Sequence, residues 1–217
     1  MNLDEFSDER VLGMKWKPTK DVFYFVLKFH KVPKEVLEKS RSPTKREVAS
    51  VVPSIFDVFG FIAHFTIRAK ILQQQIWRMG GEWDDPIPDC IRISWEDWVN
   101  DLKKLEQLQI PRCYFPNLDE ITQIELHVFS DASQQAKAVV IYARFVKNDI
   151  ITTRFVIGRS WVTPLKPVSI PRLELQAALL GSRLATFVQE NRSIKFCRVQ
   201  FWTDSSTVLC WLRSEAR

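Results

Sequence analysis

The stretch IELHVFSDASQQAKAVVIYARFVKNDIITTRFVIG, residues 124–158, decides the fold. It holds three apolar-rich runs, 124–130, 136–146 and 150–158, separated by short polar connections. β-Branched and aromatic residues in partial alternation make each run a strand, and connections this short make neighbours antiparallel. The spacing therefore predicts a three-stranded meander. Beyond it, 171–191 has a helical pattern, with Leu173, Leu175, Ala178, Leu179, Leu184 and Phe187 as the expected apolar face. Residues 196–203 (FCRVQFWT) read as a fourth strand and 205–213 as the start of another helix. The order β-β-β-α-β-α implies a mixed sheet with helices packed over it.

Upstream of residue 121 the pattern is different. Residues 10–16 (RVLGMKW) and 21–29 (DVFYFVLKF) flank a Pro-Thr-Lys turn and read as a β-hairpin. Residues 30–43 are charged and bounded by prolines, a loop with a short helical turn. Thr44-Lys45-Arg46-Glu47 is a capping-box sequence, so a helix is expected from 45 to about 56. A second helix over 61–79 is stopped by Gly80-Gly81. A third, over 89–108, carries Ile91, Trp95, Trp98, Leu102 and Leu105 on one stripe, and 110–116 is a proline-bounded connector. The fold class is thus α+β or α/β, a helical segment followed by a mixed sheet with packed helices.

Composition excludes several classes. At 217 residues, 46% hydrophobic and 26% charged, the chain is neither disordered nor fibrous. The most membrane-like uncharged run, 58–67, is half the length of a span and contains a glycine and a histidine. Asp4, Glu5, Asp8 and Glu9 stand where a signal peptide needs a basic and then an apolar region. A soluble intracellular chain is expected, cytoplasmic or nuclear, with no membrane partner. The net charge of +5 is uneven: residues 1–118 carry 18 basic and 17 acidic side chains, and 119–217 carry 13 and 9. The second half is therefore the more attractive to a polyanion. Cys90, Cys113, Cys197 and Cys210 fit neither a zinc site nor a disulfide framework, and reduced, mostly buried thiols are expected. The tryptophans, Trp202 and Trp211 included, are expected in the core. His127 alternates with apolar neighbours and is expected to be a satisfied sheet residue rather than a ligand.

Three acids fall at telling places. Asp131 closes the first strand of the meander, Glu174 stands in the first turn of the helix, and Asp204 closes the fourth strand. If strands one and four are neighbours, these carboxylates share one sheet edge, where Mg²⁺ would relieve their repulsion. Two such ions serve phosphodiester hydrolysis. Acids also occur at strand ends and in helix first turns for local reasons, so this pattern alone leaves the metal site open. Ser205 and Ser206 follow Asp204 at a helix start, where capping is the simpler role and phosphate contact the alternative. Arg172 is either solvated or near a nucleic-acid backbone.

FSDAS, the strand pair after it, PRLELQAALLG and FWTDSSTVLCWL together resemble the ribonuclease H domain of LTR retrotransposon polyproteins. RVLGMKW, PTKREVASVVPSIFDVFGFIAHFTIRAKILQQQIW and ISWEDWVNDLKKL look like Pao/BEL-type retroelement Pol, in the region between reverse transcriptase and ribonuclease H. The resemblance covers about residues 9–217.

It implies that 1–30 ends a reverse-transcriptase palm, 31–118 is a thumb- or connection-like region, and 119–217 is a ribonuclease H-like domain. Asp131, Glu174 and Asp204 match the first three carboxylates of that site. They would hold two Mg²⁺ ions for cleaving the RNA of an RNA–DNA hybrid. The remainder of a Pol polyprotein is an implied partner. The family's fourth acid would follow Arg217, so an incomplete site, and with it a non-catalytic nucleic-acid-binding remnant, is a standing alternative. The polymerase Y-x-D-D motif is absent, and Asp84-Asp85 lies in a proline turn with a structural role. The resemblance also implies an aspartic-peptidase family label, the Pao retrotransposon peptidase A17. Such a site needs Asp-Thr/Ser-Gly, and the nearest strings, SDAS and TDSS, lack the glycine.

Overall fold

The computed structural model describes residues 9–11, 14–30, 32–114, 121–148, 150–191 and 194–214. They fall into two compact units, one within Met1–Val58 and His64–Tyr114, the other within Phe59–Ala63 and Phe115–Arg217.

The first unit contains a four-stranded antiparallel sheet, β1 (Glu9–Val11), β2 (Met14–Lys17), β3 (Val22–Tyr24) and β4 (Gln109–Pro111), in that order. The hairpin forms between β2 and β3, around a 3₁₀ turn at Pro18–Lys20 and a left-handed Asp21. It is shorter than the alternation suggested. Tyr24 pairs with Lys15, one residue from the start of β2, and Phe25 buries its ring outside the ladder. Leu12 and Gly13 of LGMKW lie outside the described residues. The expected connector after residue 109 is partly a strand, because Ile110 pairs with Phe23.

The helices of this unit are α1 (Lys34–Leu37), α2 (Lys45–Val51), α3 (Ala63–Arg78, shared in sequence with the second unit) and α4 (Asp89–Leu105). The capping box is present: the Thr44 side chain accepts from the Glu47 amide, and the Glu47 carboxylate accepts from the Thr44 amide at 2.8 Å. α2 stops earlier than expected, passing into a 3₁₀ turn at Val52–Ser54, because Pro53 cannot continue the backbone ladder. The stripe Ile91, Trp95, Trp98, Leu102 and Leu105 is buried. Asp84 and Asp85 are structural: Asp84 pairs with Arg46 at 2.8 Å, and Asp85 accepts from the Glu82 amide at 2.7 Å.

The second unit is built on β5 (Gln123–Ala132), β6 (Ala136–Lys147), β7 (Ile150–Val162) and β8 (Arg198–Trp202), with α5 (Ile170–Glu190) and α6 (Ser206–Arg213). The strand order is β7-β6-β5-β8. The first three form the antiparallel meander, and α5 returns the chain so that β8 lies parallel to β5. This is a four-stranded mixed sheet with packed helices.

α5 packs against β5 and β6, on a face that shares only Leu173 with the predicted one. Leu173, Ala177, Gly181, Ala185 and Val188 are buried, whereas Leu175, Leu179 and Phe187 are exposed. The stripe of small residues lets the helix lie close to the sheet. A Cβ on Gly181 would stand 3.2 Å from Val128 Cγ1. Trp202 and Trp211 are also exposed rather than core, and the four cysteines are free and exposed. Among the described residues no helix is long and apolar enough to cross a membrane.

Candidate metal and nucleic-acid site

The parallel pairing of β5 and β8 brings two of the three acids together. Its last matched pair is Phe129 with Trp202. Asp131 lies two residues beyond Phe129, and Asp204 two beyond Trp202, so both leave the sheet at the same end. Both are exposed, and both line one cavity of about 410 Å³ with Phe129, Trp202 and Thr203. Asp131 is still within β5, paired across to Ala138 on β6, and its carboxylate accepts from the Ala132 amide at 2.7 Å. Asp204 lies past the end of β8, in the turn before α6.

Glu174 is placed differently. Ile170 begins α5 after Ser169, so Glu174 falls in the second turn, and the first turn holds no acid. The helix starts one residue earlier than expected because Pro171, suited to the first turn, sits inside it. Glu174 is half-buried and does not line the cavity. Its Oε2 accepts a short hydrogen bond from the Ser205 hydroxyl.

Ser205 is the N-cap of α6, its Oγ accepting from the Val208 amide at 3.2 Å. Capping was the simpler expectation, and the structure adds the hold on Glu174. Ser206 and Arg172 are exposed.

The donor chemistry fits a hard divalent cation, since three carboxylates offer only oxygen ligands. Asp131 and Asp204 open on the same cavity, and Glu174 is joined to the residue that follows Asp204. Among the described residues, however, no three His, Cys, Asp or Glu side chains close into a metal-holding cluster.

Next to the cavity, the sheet face away from α5 carries an aromatic row that sequence reasoning missed. The rings of Trp202 and Phe129 are parallel with centroids 5.9 Å apart, and Phe129 meets Tyr142 edge-on at 6.1 Å. His127 is satisfied, as expected. Its Nδ1 accepts from Trp202 Nε1 at 3.0 Å, which leaves Nε2 to carry the proton towards Glu125 Oε2 at 3.2 Å. Arg144 donates to the same Glu125 oxygen at 2.8 Å. Together His127 and Arg144 hold the Glu125 carboxyl below the usual range, the His127 bond contributing most. A larger cavity of about 530 Å³ lies over this row, lined among the described residues by His127, Phe129, Val140, Tyr142, Arg144 and Thr153. The only sequence signal for the row was the alternation that puts His127, Phe129 and Asp131 on one face of β5.

Residues 44–205 match the model of a protein family described as the Pao retrotransposon-like RNaseH-like domain. The chain belongs to that family. The match spans α2 to the N-cap of α6 and includes Asp131, Glu174, Asp204 and Ser205. This Pao RNaseH-like chain also has similarity to a solved foamy viral protease-reverse transcriptase (dRH) in complex with double-stranded DNA. That similarity has a TM-score of 0.47 and 15% identity, over 94% of this chain and 32% of the other, so the chain spans about a third of that protein's length. No curated protein matches the sequence.

Proposed function

We propose that this Pao RNaseH-like domain derives from a retroelement Pol polyprotein and binds an RNA–DNA hybrid, whose RNA strand it cleaves by two-metal hydrolysis. Asp131, Glu174 and Asp204 hold the cations, with Mg²⁺ the expected ion. Divalent cations held there supply charge neutralisation and Lewis acidity at a phosphodiester. The observation that carries this reading is the β5–β8 register, which sets Asp131 and Asp204 at matching positions on one cavity. The excess of basic side chains beyond residue 118 suits a nucleic-acid backbone read by shape and 2′-OH contacts. On the same ancestry, 1–30 corresponds to the end of a reverse-transcriptase palm, 31–118 to a thumb- or connection-like region and 119–217 to the ribonuclease H-like domain. The rest of the polyprotein is then a partner, inside the cell.

A second reading is a non-catalytic nucleic-acid-binding domain. It is favoured by the lack of a closed three-carboxylate cluster among the described residues. Peptidase chemistry has no comparable support, because Asp131 and Asp204 are followed by Ala132 and Ser205, with no glycine next in either turn.

The test uses a labelled RNA–DNA hybrid with Mg²⁺, the chain and its Asp131→Asn variant. Cleavage by the parent chain that Asp131→Asn abolishes supports the hydrolytic reading. Binding without cleavage by either protein supports the second. Absence of both binding and cleavage overturns both readings.

A further inference from the structure

The second and third carboxylates of the site come from different elements, α5 for Glu174 and the β8–α6 turn for Asp204. Asp131 accepts a hydrogen bond from the Ala132 amide of its own strand, and Asp204 follows the end of β8. Glu174 has a long side chain with several free torsions, and some other group must hold it if it is to act with the other two.

Ser205 is that group. It is 6% exposed, and its hydroxyl both donates and accepts a hydrogen bond. A serine hydroxyl has one proton and two lone pairs. The Val208 amide donates to its oxygen, and its proton goes to Glu174 Oε2. The cap therefore orients the hydroxyl, and the oriented hydroxyl orients the carboxylate. The Ser205 amide also donates to Thr203 Oγ1 at 3.2 Å, closing the turn around Asp204. An ionised carboxylate accepts at two oxygens, so this bond leaves Glu174 Oε1 available for a cation.

We propose that Ser205 is a positioning residue, which holds the Glu174 carboxylate beside Asp204 for divalent-cation binding. This rests on the assignment of Asp131, Glu174 and Asp204 as cation ligands. Ser205 itself touches no reacting atom.

The decisive measurement is Mn²⁺ binding to the full chain by calorimetry and electron paramagnetic resonance. The variants are Ser205→Gly, Ser205→Thr and Asp131→Asn. Glycine keeps most of the N-cap preference while deleting the hydroxyl, and threonine keeps both cap and hydroxyl. Loss of an outer partner of a metal ligand commonly weakens metal affinity about 10- to 100-fold. Ser205→Gly is accordingly expected to weaken Mn²⁺ binding at least about tenfold, with the cation-free melting temperature little changed. Ser205→Thr is expected to restore binding to within about threefold of the parent.

Parent-like Mn²⁺ affinity in a folded Ser205→Gly chain overturns the proposal. If Asp131→Asn weakens binding in that same case, the ligand assignment stands without Ser205. Failure of the parent chain itself to take up Mn²⁺ overturns the ligand assignment, and this proposal with it. If Ser205→Gly does not fold, Ser205→Ala, which also deletes the donor to Glu174 and is a weaker cap than serine, is measured at low temperature against the same two outcomes.

Discussion

Gly60 lies so close to Gly158 that a Cβ built on Gly60 would stand 2.0 Å from the Gly158 carbonyl oxygen. The short segment Phe59–Ala63 lies along β7 here. The Gly158 amide donates to the Phe59 carbonyl at 2.7 Å, and the Ser160 hydroxyl donates to the Ala63 carbonyl at 3.1 Å. Gly60 also has a φ of +81°, in the region that favours glycine. Segment 59–63 is thus part of the second unit, although some sixty residues of chain separate it from β5. It covers backbone groups on an outer strand that would otherwise be open to foreign strands.

Gly60→Ala combines an unfavourable φ with overlap against backbone, and neither neighbour can yield as a side chain would. A loss of about 2 kcal/mol or more is expected in urea denaturation. In Gly158→Ala the new Cβ would stand 3.1 Å from the Gly60 carbonyl and 3.3 Å from the Phe155 ring, so a smaller loss is expected. Equal losses in the two variants would count against this account of the contact.

The face of α5 that meets the sheet has small residues at Ala177, Gly181 and Ala185 between Leu173 and Val188, while Leu175, Leu179 and Phe187 are exposed. Ala177→Leu is expected to cost about 1–3 kcal/mol by overpacking. Leu179→Ala, at a half-exposed position, is expected to change stability by about 0.5 kcal/mol or less. Thermal melts of the two variants decide the matter, and the reverse ranking would restore the face expected from side-chain size alone.

Trp95 and Trp98 are both buried in α4, but only Trp98 has a partner for its indole, donating to the Phe65 carbonyl at 3.1 Å. Trp95 Nε1 is buried with no partner among the described residues. Trp98 also stacks on Phe65, with centroids 4.9 Å apart. Trp98→Phe is therefore expected to cost about 1 kcal/mol more than Trp95→Phe, which removes an unsatisfied donor. Denaturant midpoints at matched slope measure the difference.

Glu47 pairs with Arg41 at 2.5 Å while closing the capping box. The Arg41 bond, followed by that of the Thr44 amide, holds its carboxyl below the usual glutamate range against the opposing effect of burial. The folded value lies below the unfolded one. The stabilisation is therefore complete above the ordinary glutamate pKa of about 4.3 and fades as pH falls through the lowered folded value. Glu47→Gln has no carboxyl to titrate. The parent is expected to exceed it by about 1 kcal/mol or less at pH 7, with the gap closing in acid. A gap that stays constant from pH 7 down to about pH 2 would remove the carboxylate from the explanation.

The sequence by itself determined the local elements. Strand-like runs with short connections specified the β5–β7 meander, and Thr44–Glu47 specified the start of α2. The spacing of Ile91, Trp95, Trp98, Leu102 and Leu105 specified the buried side of α4. These signals lie within a few residues of each other, where backbone preference and periodicity act directly. They also put Asp131 and Asp204 at the ends of β5 and β8, whereas Glu174 lies one turn further into α5 than its pattern suggested.

Tertiary structure decided what lies beside what. The pairing of Phe129 with Trp202 joins residues 73 positions apart, and only that register brings Asp131 and Asp204 onto one cavity. Close approach of α5 to Val128 and Val139 selected its small face over its large one. The exposure of Trp202, the recruitment of Ile110 by Phe23 and the hold of Ser205 on Glu174 are likewise contacts between distant segments. Each depends on shape and hydrogen-bonding partners that exist only once the chain has packed, which is why periodicity along the sequence does not contain them.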